Sequence, residues 1–353
     1  MADVQKYFVE FDAAIRFERD DEKAILVEKR ERVLRRLSEG IKRQRKDGAT
    51  IPSYEPFNQG SYAMNIGVKP INGDFDIDVG LRFDLAKEDY PDPVVVKKWV
   101  HDAVEKHTKH VEMRRGCVTV FYQEDGEDIY HVDLVCYSSN EKNADKKDYI
   151  AKGKTDSKPE DRKWEPSDPQ ELQNLITGKY TGEDAQQFRR VIRALKRWKD
   201  LRFSAFGRKA PKGIALTVAV YRWFTVFKTQ DPFANKVVYD DLAALRNLVS
   251  TMLNSFLPVW SEEAKEHRPR ICVELPIWPH SDLCDNMSDA SMRSFQERLE
   301  KLLDALKKAQ EDVDPHTACK ELREHFGDDF PVPEKSDTAQ KRDKAITSSG
   351  NSA

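Results

Sequence analysis

Apolar and polar residues alternate along residues 74–84, DFDIDVGLRFD, which is typical of a strand with one face in a core. Ile77 and Val79 share one face of this strand, while Asp76 and Asp78 share the other, because successive side chains point to opposite faces. Residues 116–123 and 128–138 predict two further strands joined by a turn at 124–127. The pattern therefore predicts a β-rich block in which one strand face carries two carboxylates.

The apolar spacing on both sides of this block is helical. Residues 4–45 lack Pro and have no Gly before Gly40, so they predict one long helix or two abutting helices. Residues 139–170 read as a polar loop, and residues 334–353 as a disordered tail without an apolar period. The remaining predicted helices span 91–107, 169–177, 183–201, 213–228, 239–256, 288–311 and 315–325.

Chain length and composition predict two lobes and a cytoplasmic location. A chain of 353 residues exceeds what one hydrophobic core normally serves. The net charge of −3 predicts that the protein has no broad basic surface for binding a polyanion and does not bind DNA strongly. Five scattered cysteines without a CxxC pair disfavour a zinc site and indicate reduced thiols. No leader or membrane-length apolar segment is apparent in the sequence, so we expect a soluble cytoplasmic protein without membrane association.

The candidate chemistry lies in the carboxylates. Asp76 and Asp78 repel each other unless a cation lies between them, and a pair of Mg²⁺ ions, with Mn²⁺ as an alternative, would serve. Asp133 is a single charge in an otherwise apolar strand, which predicts that it completes the metal site. Upstream, Gly60 and Ser61 form a turn whose backbone N–H groups and hydroxyl suit a triphosphate. An isolated pair of strand aspartates is more often a solvated edge, but the turn and Asp133 together favour a site.

His131 has the same strand parity as Asp133. We interpret it as a packing or supporting residue rather than a catalyst.

Three segments, Gln59-Gly60-Ser61, residues 74–80 (DFDIDVG) and residues 130–134 (YHVDL), precede a helical region. In this combination the chain resembles the nucleotidyltransferases of the DNA polymerase β superfamily, and more narrowly the bacterial cGAS/DncV-like nucleotidyltransferases (CD-NTases). Residues 164–170 (WEPSDPQ), the basic helix 189–199 and residues 326–333 (FGDDFPVP) are also similar to that family. The likeness covers about residues 5–333.

The resemblance implies an α+β fold. Residues 1–165 would form a polymerase β-like catalytic lobe including a long N-terminal helix that spans the protein, and residues 166–333 a helical lobe. It implies Asp76, Asp78 and Asp133 as catalytic and metal-binding residues, with Gly60 and Ser61 on the nucleotide. A lysine of the basic helix, either Lys196 or Lys199, would contact the triphosphate.

The implied activity joins nucleoside triphosphates, ATP and/or GTP, into a cyclic di- or trinucleotide messenger, with pyrophosphate as leaving group. Such enzymes act in antiphage defence through a separate effector. Some are conjugated at a small C-terminal residue by ubiquitin-like machinery, which makes Ala353 a candidate. The chain lacks the zinc-binding insertion of animal cGAS, which counts against DNA sensing. Two alternatives remain: a relative that adds nucleotides to an RNA, protein or small molecule, and an inactive nucleotide sensor.

Overall fold

The computed structural model describes residues 3–17, 20–71, 73, 75–124, 127–203, 210–231 and 236–335. Its helices are α1 (Gln5–Ile15), α2 (Asp20–Lys46), α3 (Gly60–Ala63), α4 (Val94–Val104), α5 (Pro169–Gly178), α6 (Gly182–Arg202), α7 (Gly213–Trp223), α8 (Asp241–Asn254), α9 (Asp289–Glu311) and α10 (Pro315–Phe326). Its strands are β1 (Tyr54–Asn58), β2 (Phe75–Phe83), β3 (His110–Met113), β4 (Val118–Glu124), β5 (Glu127–Ser138), β6 (Tyr149–Lys152), β7 (Lys163–Pro166), β8 (Lys228–Asp231), β9 (Lys236–Tyr239), β10 (Phe256–Ser261) and β11 (Glu266–Ile271).

A mixed sheet forms the first half of the molecule. Its strand order is β1-β2-β5-β4-β3, with β6 beside β5 and β7 beside β6. Strands β2 and β5 run parallel, and the other pairs in this sheet are antiparallel. The three strands predicted from the alternating pattern are β2, β4 and β5, and the predicted α+β class is confirmed.

The described residues form two large hydrophobic cores. Ile77, Val79, Val132 and Leu134 are fully buried where the sheet packs on α2 and α4. The second core is formed mainly by α1 and the helices from α6 onward, and it contains the fully buried Trp198.

The N-terminal segment joins both cores as two helices, α1 and α2, which is the second of the two predicted alternatives; the single spanning helix is not found. Phe11 of α1 packs against Phe326 and Phe330 in the helical core, with ring centroids 5.4 and 5.1 Å away. Leu26 and Val33 of α2 are buried in the sheet core. The boundary between lobes at residues 165 and 166 stays a prediction.

Several strands lie where the sequence predicted a loop or helices. The polar loop 139–170 carries β6 and β7, and the helical half carries the hairpins β8–β9 and β10–β11. Most residues of β9 and β10 are exposed, so their side chains lack the alternation that a half-buried strand shows. Residues 336–353, including Ala353, lie outside the described residues. In the part of the chain that is described, no helix is long and apolar enough to cross a membrane.

Candidate active site

The strand register brings the predicted carboxylates together on one face of the sheet. In the parallel pair β2–β5, Asp78 lies opposite Asp133, and Asp76 lies opposite His131. All four residues therefore point to the same side, away from the core that holds Ile77 and Val132. The sequence pattern predicted the shared face of Asp76 and Asp78, and the register adds Asp133.

His131 is closer to the carboxylates than expected of a packing residue. Ligand atoms of Asp76, His131 and Asp133 all lie within 4.8 Å of one another. The Nε2 atom of His131 is 3.3 Å from Oδ1 of Asp76. The shared parity of His131 and Asp133 was the sequence signal for this position.

Thr119 is a positioning residue that the sequence did not reveal. It lies opposite Asp133 in the antiparallel pair β4–β5 and is fully buried. Its hydroxyl donates a hydrogen bond to Oδ1 of Asp133 over 2.6 Å. One carboxylate oxygen of Asp133 is thus held in place by the neighbouring strand.

The structure at position 60, where α3 begins, requires glycine for two reasons. Its φ of +72° lies in the left-handed region that side chains disfavour. A Cβ atom built on Gly60 would fall 1.9 Å from Oδ2 of Asp78, so the backbone lies directly against that carboxylate. The neighbouring Ser61 is half-buried, and its hydroxyl has no hydrogen-bond partner among the described residues.

The carboxylates destabilise one another's charged forms. Burial, followed by the charges of Asp76 and Asp133, raises the pKa of Asp78 to about 7. Burial and then Asp76 also raise the pKa of Asp133, against the opposing hydrogen bond from Thr119. A bound cation would relieve both effects.

The two candidate lysines of α6 differ in their surroundings. The Nζ atom of Lys196 donates to the backbone oxygen of Ile66 over 3.1 Å, and its charge acts on Asp78. Burial lowers the pKa of Lys196 to about 8. The Nζ atom of Lys199 lies 2.7 Å from Oδ1 of Asp200. The geometry therefore favours Lys196 as the lysine that faces the carboxylates.

The donor set fits a hard divalent cation. Carboxylate oxygens are the ligands that Mg²⁺ and Mn²⁺ prefer, and Asp76 and Asp133 offer them within one small group. His131 adds a nitrogen to that group, which the sequence-based set of Asp76, Asp78 and Asp133 lacked. A metal-dependent reaction is therefore consistent with the site.

A family model and a curated protein match the chain in sequence. Residues 55–137 match the nucleotidyltransferase domain of the cyclic GMP-AMP synthase DncV-like family, a range that contains all the candidate carboxylates. A cyclic GMP-AMP synthase of Escherichia albertii is 26% identical over 209 residues, which is 55% of this chain. The alignment spans 42% of that relative's length.

Solved structures match the fold over almost the whole chain. DncV cyclic AMP-GMP synthase of Vibrio cholerae aligns with a TM-score of 0.64 at 16% identity, over 94% of this chain and 98% of its own. Its GTP-bound form gives a TM-score of 0.65 at 16% identity. DncV of Escherichia coli, bound to 3′-deoxy GTP, gives 0.52 at 18% identity over 78% of this chain and 70% of its own.

Proposed function

We propose that the chain, whose residues 55–137 match a nucleotidyltransferase domain of the DncV-like family, is a Mg²⁺-dependent synthase of a cyclic di- or trinucleotide. Its substrates would be nucleoside triphosphates, with ATP and GTP first, and its product would signal to a separate effector in antiphage defence. The observation that carries this proposal is the convergence of Asp76, Asp78 and Asp133 on one sheet face beside Gly60.

The residues divide the work of nucleotidyl transfer. Asp76, Asp78 and Asp133, with His131 adjacent, would hold the metal, which supplies charge stabilisation at the reacting phosphate when bound. Thr119 orients Asp133, and this carboxylate would lie near the attacking hydroxyl. The exposure of the cluster falls from 47% for the side chain of Asp76 to 9% for that of His131, which gives the substrate an open side.

The phosphate tail would lie between α3 and α6. The backbone at Gly60 and the hydroxyl of Ser61 would contact it from one side, and the ammonium group of Lys196 from the other. The side chain of Lys196 packs beside Gly213 at the start of α7. A Cβ atom built on Gly213 would be 3.6 Å from Cε of Lys196. A desolvated ammonium group forms a stronger charge-assisted hydrogen bond with phosphate than an exposed one.

Product analysis tests the proposal. Wild-type protein incubated with Mg²⁺ and pairs of labelled nucleoside triphosphates should give a phosphatase-resistant product on thin-layer chromatography. Asp76→Asn with Asp78→Asn should lower the rate by about 10³-fold or more, because the metal contributes several kcal/mol. Asp84→Asn is a control at the end of the same strand, where the exposed carboxylate pairs with Lys142 at 3.2 Å.

Each contrary result has its own meaning. A linear, phosphatase-sensitive product or one linked to an acceptor would overturn cyclisation. Full activity in the double variant would overturn the assignment of the carboxylates. Binding of triphosphates with no turnover in any pair would make the protein a sensor.

A further inference from the structure

A cavity of about 380 Å³ lies between α2, β4 and the turn that joins α4 to β3. His107 of the turn and Tyr122 of β4 line one side of it. The α2 side chains in its lining are three and four residues apart, so they share one face of the helix. They are Arg32, Arg35, Arg36 and Glu39. Three guanidinium groups and one carboxylate therefore give the cavity an excess of positive charge.

The protein neutralises little of this charge. Arg32 pairs with Glu28 over 3.2 Å. In the part of the chain that the structure describes, Arg35 and Arg36 have no ion-pair partner. Arg36 is half-buried, and its Nε atom is shielded from solvent without a hydrogen-bond acceptor. A partly desolvated cation without a counter-charge is costly, and a bound anion would remove that cost.

The opposite wall holds His107 in a fixed position. Its Nε2 atom is 2.8 Å from the hydroxyl of Tyr122, and this hydroxyl donates to the carbonyl of Lys29 over 3.2 Å. Burial, followed by the charges of Arg36 and Arg32, lowers the pKa of His107. The protonation of this imidazole therefore depends on the charge of the guanidinium groups across the cavity.

The sheet separates this cavity from the candidate active site. Tyr122 packs against the sheet core on the side of α2, since its hydroxyl reaches the carbonyl of Lys29. Asp76 and Asp133 point away from that core. A ligand in the cavity is therefore a different molecule from the nucleotide at the carboxylates.

We propose that this cavity is a second ligand site, which binds a small phosphorylated compound through Arg35 and Arg36. Their two unpaired charges match the charge of about −2 that one phosphoryl group carries near pH 7. Planar guanidinium groups also bind phosphate oxygens in pairs. Glu39 is exposed, so solvent screens its opposing charge. Inorganic phosphate, pyrophosphate and phosphate monoesters share this chemistry.

Isothermal titration of metal-free protein tests this inference. Inorganic phosphate, pyrophosphate and glycerol 3-phosphate are added separately at constant ionic strength, and the tightest of them distinguishes a free ion from an ester. Succinate should bind about tenfold more weakly than the tightest, because it spreads its charge over two separate groups. Arg35→Gln with Arg36→Gln should weaken the tightest ligand about 10²-fold, since each guanidinium group contributes about tenfold.

The imidazole of His107 supplies a local measurement. A bound phosphoryl group offsets the charges of Arg32 and Arg36, so it should raise the pKa of His107, measured by the shift of its ring protons with pH in NMR spectra. The resonance is identified by its absence from His107→Gln. In Arg35→Gln with Arg36→Gln, the pKa of His107 should already be higher, and the ligand should not change it further.

Two further variants protect the test from a folding artefact. Arg35→Gln alone changes an exposed position and should still cost about tenfold in affinity. Arg43→Gln replaces an exposed arginine of α2 outside the lining and should leave the affinity and the pKa of His107 unchanged. The inference is overturned if no phosphoryl ligand binds, if succinate binds as tightly, or if binding leaves the pKa of His107 unchanged. None of these measurements involves turnover, so this inference and the proposed synthase activity fail separately.

Discussion

Two groups of charged side chains among the described residues have opposite arrangements. Where α6 packs on α1, Arg193 donates to both oxygens of Asp12 over 2.6 and 3.0 Å, and the two side chains are 4% and 9% exposed. On the sheet face of the candidate active site, Asp78 and Asp133 are neighbours of the same sign, and the charge of Asp76 adds to both. Opposite charges neutralise each other within the fold, whereas neighbouring like charges repel until a bound cation offsets the repulsion.

The largest effect should come from breaking the paired arrangement. Asp12→Asn leaves Arg193 charged and buried, and it should lower the free energy of unfolding by about 3–5 kcal/mol, measured by urea denaturation. Glu262→Gln, which breaks the exposed ion pair with Lys265, should cost less than about 0.5 kcal/mol.

A double variant sharpens this test. Asp12→Leu combined with Arg193→Met removes both charges and should recover much of the lost stability, because no buried charge is left unpaired. A cost below about 1 kcal/mol for Asp12→Asn would contradict the structural role of the pair.

The next largest effect should follow from displacing the carboxylate of Asp78 in the candidate active site. Gly60→Ala places a methyl group on Oδ2 of Asp78 and should lower the rate of nucleotide turnover about 10²-fold, since a small displacement at the reacting centre is enough. Gly48→Ala shares the positive φ, at +99°, and meets no atom within 4 Å. It should cost stability and spare activity. Equal loss of activity in both variants would show that backbone strain, rather than contact with Asp78, is responsible.

Removing one of the like charges should stabilise the metal-free protein. The pKa of Asp78 is raised to about 7 in the folded state, above its unfolded value, so its charge disfavours folding once the pH exceeds the unfolded pKa. Asp78→Asn should therefore raise the free energy of unfolding at pH 8 by about 2 kcal/mol, less than the full shift implies because the carboxylate is partly solvated.

The pH dependence supplies the control for that measurement. The advantage of Asp78→Asn should shrink as the pH falls through about 7, where the wild-type carboxyl becomes protonated, and disappear near the unfolded pKa. Added Mg²⁺ should raise the melting temperature of the wild type and not of the variant. A variant that is less stable than the wild type at pH 8 would contradict repulsion at this site.

The sequence predicted more of the candidate active site than of the Asp12–Arg193 ion pair, because the alternation of apolar and polar residues along one strand is a local feature. The alternation in residues 74–84 predicts the common face of Asp76 and Asp78 without knowledge of the neighbouring strands. The resemblance to bacterial cGAS/DncV-like nucleotidyltransferases, drawn from the same motifs, is confirmed by the family match at residues 55–137. The role of Thr119, by contrast, depends on the β4–β5 register.

Contacts between distant segments could not be predicted in this way. Asp12 and Arg193 are 181 positions apart, and nothing in the apolar pattern of either helix indicates that they meet. Strands β6 and β7 pair side by side within the segment 139–170, which is polar over most of its length, because hydrogen bonding between strands depends on the backbone rather than on the pattern of side chains. These features arise from packing, which a single sequence without homologues does not reveal.

The smallest effect should come from substituting the two lysines of α6, of which Lys196 faces the carboxylates and Lys199 forms an ion pair. Lys196→Met should lower kcat/KM for nucleoside triphosphates about tenfold, because a charge-assisted hydrogen bond to phosphate is lost. Lys199→Met should change kcat/KM by less than about twofold, since Lys199 pairs with Asp200. Because burial lowers the pKa of Lys196 to about 8, wild-type kcat/KM should decline as the pH rises above that value. Lys196→Arg should keep its charge through this range and flatten the decline. A larger loss from Lys199→Met than from Lys196→Met would reverse the assignment and place the phosphate contact at the ion-paired lysine.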